Sequence, residues 1–144
     1  MEFVVFEAGR MRGREVPVFA VIAIDDDIVS IGRNRSEETG RPWHHAEFVA
    51  VEAFYDRHPD RRYLDDASLY VNLEPCNFCA ALLERVRIKD IFFGAYDQKC
   101  GAIVNNARIF EYSPIKPNII GGFQEHKCSR IISCFFEKLR CNGK

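Results

Sequence analysis

A three-layer α/β/α domain, with a central mixed sheet of about five strands flanked by helices, is the fold class that this 144-residue sequence predicts. Three observations lead there. Segments with strand patterning alternate along the chain with segments of helical periodicity. Apolar residues make up 47% of the sequence, enough for a proper core at this length. No internal repeat, low-complexity tract or linker divides it, so residues 1–144 read as a single domain.

The elements follow in order. Phe3, Val4, Phe6, Ala8 and Met11 space an amphipathic helix over 2–11, which Gly13 ends. Val16 to Ile24 is a β-branched run, and Asp25-Asp26-Asp27 turns it into a second strand over 28–33, forming a hairpin. The polar stretch 34–42, with Gly40 and Pro42, reads as a loop. Phe48, Val49, Val51, Ala53 and Phe54 space a helix over 45–57 that His58-Pro59 closes. A short buried strand covers 69–73, and Pro75 opens a helix through Arg85, since a first turn tolerates proline. Residues 90–95 form another strand. Residues 105–118 carry no clear pattern, and Ile119-Ile120 forms a fifth strand before Gly121-Gly122. The last helix runs over 124–140, with Cys128, Ile131, Ile132, Phe135 and Leu139 on one face.

Bulk properties narrow the function classes. No apolar run approaches the roughly 20 residues of a membrane span. Acidic residues flank the apolar stretch at the N-terminus, unlike a signal peptide, so the expected location is cytoplasmic. In that setting Cys76, Cys79, Cys100, Cys128, Cys134 and Cys141 do not suggest a disulfide framework, and Cys76-x-x-Cys79 points to metal or redox chemistry. Net charge is −1, which does not mark a nucleic-acid binder as a whole. The C-terminal segment is locally basic, with Lys127, Arg130, Lys138, Arg140 and Lys144 against Glu125 and Glu137.

The residues that carry chemistry are His45-Ala46-Glu47 and Pro75-Cys76-Asn77-Phe78-Cys79. One imidazole and two thiolates suit zinc, and three protein ligands leave a fourth tetrahedral position open, as in catalytic sites. Glu47 is badly placed to be a fourth ligand and well placed to move a proton. If each motif opens a helix, the site lies between two positive helix ends that favour thiolate over thiol. Taken by the residues alone, a redox dithiol or a core histidine beside two buried thiols also fits. Neither explains Glu47. The combined pattern His-x-Glu…Pro-Cys-x-x-Cys is that of the zinc nucleobase deaminases.

The chain also resembles the bacterial tRNA-specific adenosine deaminases (the TadA type) of the cytidine deaminase superfamily. The resemblance rests on Pro17-Val18, Asn34-Arg35, Leu69-Tyr70-Val71-Asn72-Leu73-Glu74-Pro75-Cys76, Phe93-Gly94-Ala95-Tyr96-Asp97-Gln98-Lys99, Gly101, and Gly121-Gly122-Phe123 before a helix with Phe135-Phe136. It implies a cytidine-deaminase-like fold, one zinc per subunit and hydrolysis of adenosine to inosine at position 34 of a tRNA anticodon, on a tRNA for arginine. It also implies a homodimer in contact through helix faces near the site. By the same resemblance Glu47 is the proton shuttle, and Asn34, Ala46, Asp97 and Lys99 contact the substrate. The competing functions are a deaminase of free bases such as guanine or cytosine, with a closed small pocket, and an inactive zinc-bearing scaffold.

Some positions depart from the family. Phe19 stands where glycine is common and Phe78 where methionine is usual. Trp43 and His44 precede the ligand histidine and are expected to reshape the pocket rim. Of Phe135 and Phe136, only one can face inward, leaving the other for stacking on a base.

Overall fold

The computed structural model describes residues 1–142; Lys144, counted above in the basic C-terminal segment, lies outside them. The chain runs α1 (Glu2–Arg10), β1 (Phe19–Ile24), β2 (Asp27–Arg33), α2 (Ser36–Thr39), α3 (Ala46–Arg57), β3 (Ala67–Leu73), α4 (Asn77–Arg85), β4 (Asp90–Ala95), α5 (Ile109–Tyr112), β5 (Asn118–Ile120) and α6 (Glu125–Asn142). The five strands form one sheet in the order β2-β1-β3-β4-β5. Strand β1 is antiparallel to both neighbours, while β3, β4 and β5 are mutually parallel. It follows that β2, β3, β4 and β5 all run in one direction. The expected mixed five-strand sheet with flanking helices is the architecture found.

The hairpin turn sits at Asp25 and Asp26, whose φ values of 49° and 65° match the left-handed turn that suits the twist of paired strands. Asp27 already pairs with Ile24, and the register shifts by a bulge at Ile22/Ala23. Two one-turn helices, α2 and α5, fall inside stretches that carried no helical periodicity.

The sheet is covered on both faces, which is why β1 (Phe-Ala-Val-Ile-Ala-Ile) reads as a continuous apolar run rather than an alternating one. The main core lies on the α3/α4 side, where Ala20, Ile22, Leu69, Val71, Ile91 and Phe93 meet helix residues such as Ala50, Phe54 and Leu83. A smaller core on the other side joins Val4 and Ala8 of α1 to Phe19 and Val21, with Ile131 of α6 packed against it. Phe19 therefore fills the layer beneath α1, its ring edge-on to Phe3 at 5.9 Å, and does not pack beneath the ligand cluster.

Two glycines set the helix-to-sheet distance that brings the site together. A Cβ at Gly32 would lie 2.1 Å from the Ala46 carbonyl oxygen and 2.4 Å from the Ala50 nitrogen. Only glycine lets the first turns of α3 press onto β2. At Gly94 a Cβ would meet Cys128 Sγ at 2.3 Å, so the fully buried Cys128 locks α6 onto β4 in the same manner. Leu139, expected on the buried face of α6, is 44% exposed.

Candidate active site

The site is assembled at the carboxyl ends of the co-directional strands. Asn34 follows β2, Glu74 to Cys76 follow β3, and Tyr96 to Lys99 follow β4. This crevice is where α/β sheets place their ligands, because helix N-termini converge there. Here α3 and α4 begin at this end, with His45 and Cys76 as their N-caps. Both caps have extended backbone (φ −71°, ψ 159° and φ −73°, ψ 174°), which leaves their side chains free to leave the helix axis. Neither makes a side-chain capping bond. The first-turn N–H groups of two helices thus face one small volume, and their dipoles stabilise negative charge within it.

Within that volume His45 Nδ1 lies 3.4 Å from Cys76 Sγ and 3.7 Å from Cys79 Sγ, and the three ligand atoms all fall within 4.8 Å of one another. A tetrahedral zinc ion, with bonds of about 2.0–2.1 Å to nitrogen and about 2.3 Å to sulfur, holds such atoms about 3.5 Å apart. Spacing and donor type both fit. Hydrogen bonds from Cys79 and His45 draw the Cys76 thiol down to about 4. The same contact with Cys76, with burial and the nearby Glu47 adding to it, pushes the Cys79 thiol well up. Both cysteines bind a divalent cation as thiolates, so metal uptake competes with protons for these three side chains.

Glu47 sits in the first turn of α3 and is buried. Burial pushes its carboxyl up to about 7, and the Cys76 thiolate adds to this against a hydrogen bond from its own backbone. A carboxyl balanced between its two forms near neutrality is the state a proton shuttle requires.

Asn34 is buried at the cavity wall. Its Oδ1 accepts the Ala46 N–H at 3.0 Å, and since a backbone N–H can only donate, the side-chain orientation is settled. Among the described residues its amide NH2 has no partner, leaving that donor for a ligand. Ala46 is not among the cavity-lining residues. Its side chain is fully buried, and its part is the N–H that holds Asn34. Asp97 and Lys99 do line the cavity. Asp97 Oδ1 accepts the N–H groups of Lys99 (2.9 Å) and Cys100 (3.1 Å), shaping the turn that carries the exposed Lys99.

His44, expected at the pocket rim, is buried away from it. It stacks on Phe48 at 5.7 Å and lies 3.0 Å from the Thr39 hydroxyl oxygen. The same hydroxyl lies 2.8 Å from the Arg35 carbonyl oxygen and accepts the Arg41 N–H. Trp43 is exposed and also lies outside the cavity lining.

Sequence reasoning missed Glu74. Its carboxylate is 2% exposed and accepts hydrogen bonds from the N–H groups of Asp97, Ile103, Val104 and Asn105 and from the Asn105 side-chain amide. Burial alone would raise its pKa, but the bonds from Asn105, Val104 and Asp97 outweigh this and hold it below the ordinary value. One carboxylate thus fixes the 97–105 wall of the cavity, and a Cβ at Gly101 would strike it at 2.5 Å. A glutamate between a buried strand and a ligand cysteine was the available signal. Phe136 and Arg140 of α6 also line the cavity, whose volume is about 700 Å³. Phe136 is the more exposed of the paired phenylalanines, at 41%.

Comparison with known proteins agrees with this geometry. Residues 1–95 match the family described as the cytidine and deoxycytidylate deaminase zinc-binding region. The tRNA-specific adenosine deaminase of Rickettsia bellii is 36% identical over 130 residues, 88% of this chain and 89% of the relative. The tRNA-specific adenosine deaminase of Agrobacterium fabrum is 33% identical over 143 residues, 97% of this chain and 93% of the relative. A solved structure from work on A-to-I editing by tRNA:A34 deaminases superposes with a TM-score of 0.84 at 32% identity, covering 91% of this chain and 96% of that one. With a buried His/Cys/Cys cluster at two helix N-termini and these relatives along its length, the chain belongs to the cytidine and deoxycytidylate deaminase family and is a zinc-dependent hydrolytic deaminase.

Proposed function

We propose that this deaminase converts adenosine to inosine at the wobble position of a tRNA anticodon, with a tRNA for arginine as its substrate. The carrying observation is the likeness, over 88–97% of the chain, to proteins that bear the name tRNA-specific adenosine deaminase. The cavity supports the same reading. It is larger than one base fills and is walled by exposed Tyr96, Lys99 and Phe136 beside Arg140, groups that suit a base extruded from a polyanion. A free-base enzyme needs a smaller, closed pocket.

His45, Cys76 and Cys79 hold the zinc. Bound there, zinc supplies the Lewis acidity that brings the pKa of a water towards about 7. Asn34 donates from its free NH2 to an acceptor on the base and so fixes its plane. Glu47 takes a proton from the water that attacks C6 and delivers it to N1; it then takes the remaining proton of the new C6 hydroxyl and passes it to the amine, so that the C6–N bond breaks as the C6 carbonyl forms. One water is consumed and one ammonia leaves. The base must stand outside the stack, which a loop nucleotide does at little cost.

The working unit in this reading is a cytoplasmic homodimer of single-domain chains. Its contact is the face where Trp43 and Phe78, each 47% exposed, flank the rings of His44 and Phe48. An aromatic ladder of this kind beside the site is the surface type that interfaces bury.

A substrate panel tests the reading. Zinc-loaded protein is incubated with an adenosine-34 tRNA transcript, guanine, cytosine and free adenosine, scoring inosine and ammonia. Inosine at position 34 alone is the expected result. Ammonia from a free base without inosine in the tRNA would replace the substrate and keep the zinc chemistry.

A further inference from the structure

Helix α6 divides two cavities. The catalytic one takes Phe136 and Arg140 from one side of the helix. The other, of about 480 Å³, lies between α1 and α6 and is lined by Ile131 and Phe135 together with Arg12, Lys127, Arg130 and Lys138. All four cations are exposed, and no carboxylate is in that lining. The ion pairs among the described residues join Arg10, Arg33, Arg35 and Arg61 to acids and do not include these four. On a chain of net charge −1 this is a local concentration of positive charge.

We propose that this groove holds the sugar-phosphate backbone of the RNA whose extruded nucleotide enters the catalytic cavity, an inference that rests on the tRNA reading. The geometry suits a strand. Lys127 and Lys138 are separated by about 17 Å along the helix axis, longer than the gap between adjacent phosphates of one strand, so more than one phosphate can lie between them. Lys127, Arg130 and Lys138 project from one side of α6, and Arg12 faces them from the end of α1, held by its bonds to the Gly9 and Met11 carbonyls at 2.9 and 3.0 Å. On the other side of α6, Arg140 and Lys99 border the catalytic cavity. A backbone that crosses α6 therefore meets cations on both sides. Cations on phosphates set affinity and register without reading bases.

The test compares the wild-type chain with a Lys127→Gln/Arg130→Gln/Lys138→Gln variant. A second variant, Arg57→Gln/Arg85→Gln/Lys89→Gln, removes the same charge from the last turns of α3 and α4 and from the connection into β4. Affinity for an anticodon stem-loop is measured by fluorescence anisotropy across a salt series, alongside kcat and KM for deamination. The groove variant should weaken binding at least tenfold. Its log K against log salt slope should be shallower by about 2, since each neutralised phosphate contributes about 0.7–0.9 to that slope. Its kcat should stay at the wild-type value, and the remote variant should match wild type in all three readouts. Equal weakening in both variants, or an unchanged slope in the groove variant, would overturn the groove. Wild-type protein that neither binds nor turns over the stem-loop would overturn the substrate reading itself.

Discussion

Asn34 shows how a single side chain is divided between fold and ligand. Its oxygen is committed to the Ala46 N–H, which leaves the amide NH2 for the base. Asn34→Asp keeps an acceptor for Ala46 and removes the donor, so the fold should hold while the base loses its partner. The expected effect is a fall of roughly 10–100-fold in kcat/KM, equivalent to one buried hydrogen bond, with Tm within a few degrees of wild type. Steady-state kinetics and thermal unfolding check it together. The residues holding the chemistry were legible in the sequence because ligand type and spacing are local properties. His45, Glu47, Cys76 and Cys79 are brought together as their motif implied. Ala46 enters the site through the backbone N–H that holds Asn34, and a backbone N–H has no sequence signature. The burial of His44 was not legible, since nothing in the sequence shows that Phe48 and Thr39 enclose it.

At the scale of elements, the wall over residues 97–105 depends on Glu74. Five N–H donors converge on one carboxylate, and the charge makes each bond stronger than its neutral counterpart. Glu74→Gln turns one acceptor oxygen into a donor that faces other donors. We expect a loss of about 2–4 kcal/mol in stability and a higher KM, measured by denaturant unfolding and kinetics. The pH dependence has a definite sign. Glu74 has a lowered pKa, so its contribution is full above the ordinary carboxylate value and fades as acid takes the pH down through the lowered one. The Gln variant should therefore lose less stability on acidification than wild type does. The β1-β2 hairpin, β3, α4 and β4 were readable from apolar runs and turn residues. The one-turn helices α2 and α5 were not, because four residues carry no period and are set by the contacts of their surroundings.

For the whole molecule, the sheet order follows from rules of connection more than from any residue. The β3-α4-β4 unit gives parallel neighbours, and reversal of β1 leaves β2 and β3 pointing the same way. Asn34, Glu74 and Asp97, distant in sequence, consequently end up on one rim. The aromatic face of Trp43 and Phe78 belongs to this scale as well. In sedimentation the wild-type chain should run at twice its 16.6 kDa, and Phe78→Glu should run as a monomer. A monomeric wild type would contradict the dimer. The central claim is that zinc held by three residues and a proton moved by Glu47 deaminate a tRNA adenosine. The most direct measurement compares inosine formed at position 34 by wild type and Glu47→Ala, each with its zinc content determined. The account predicts one zinc per chain in both proteins, and inosine in the wild type falling by at least about a hundredfold in the variant. Undiminished inosine from zinc-loaded Glu47→Ala would contradict it.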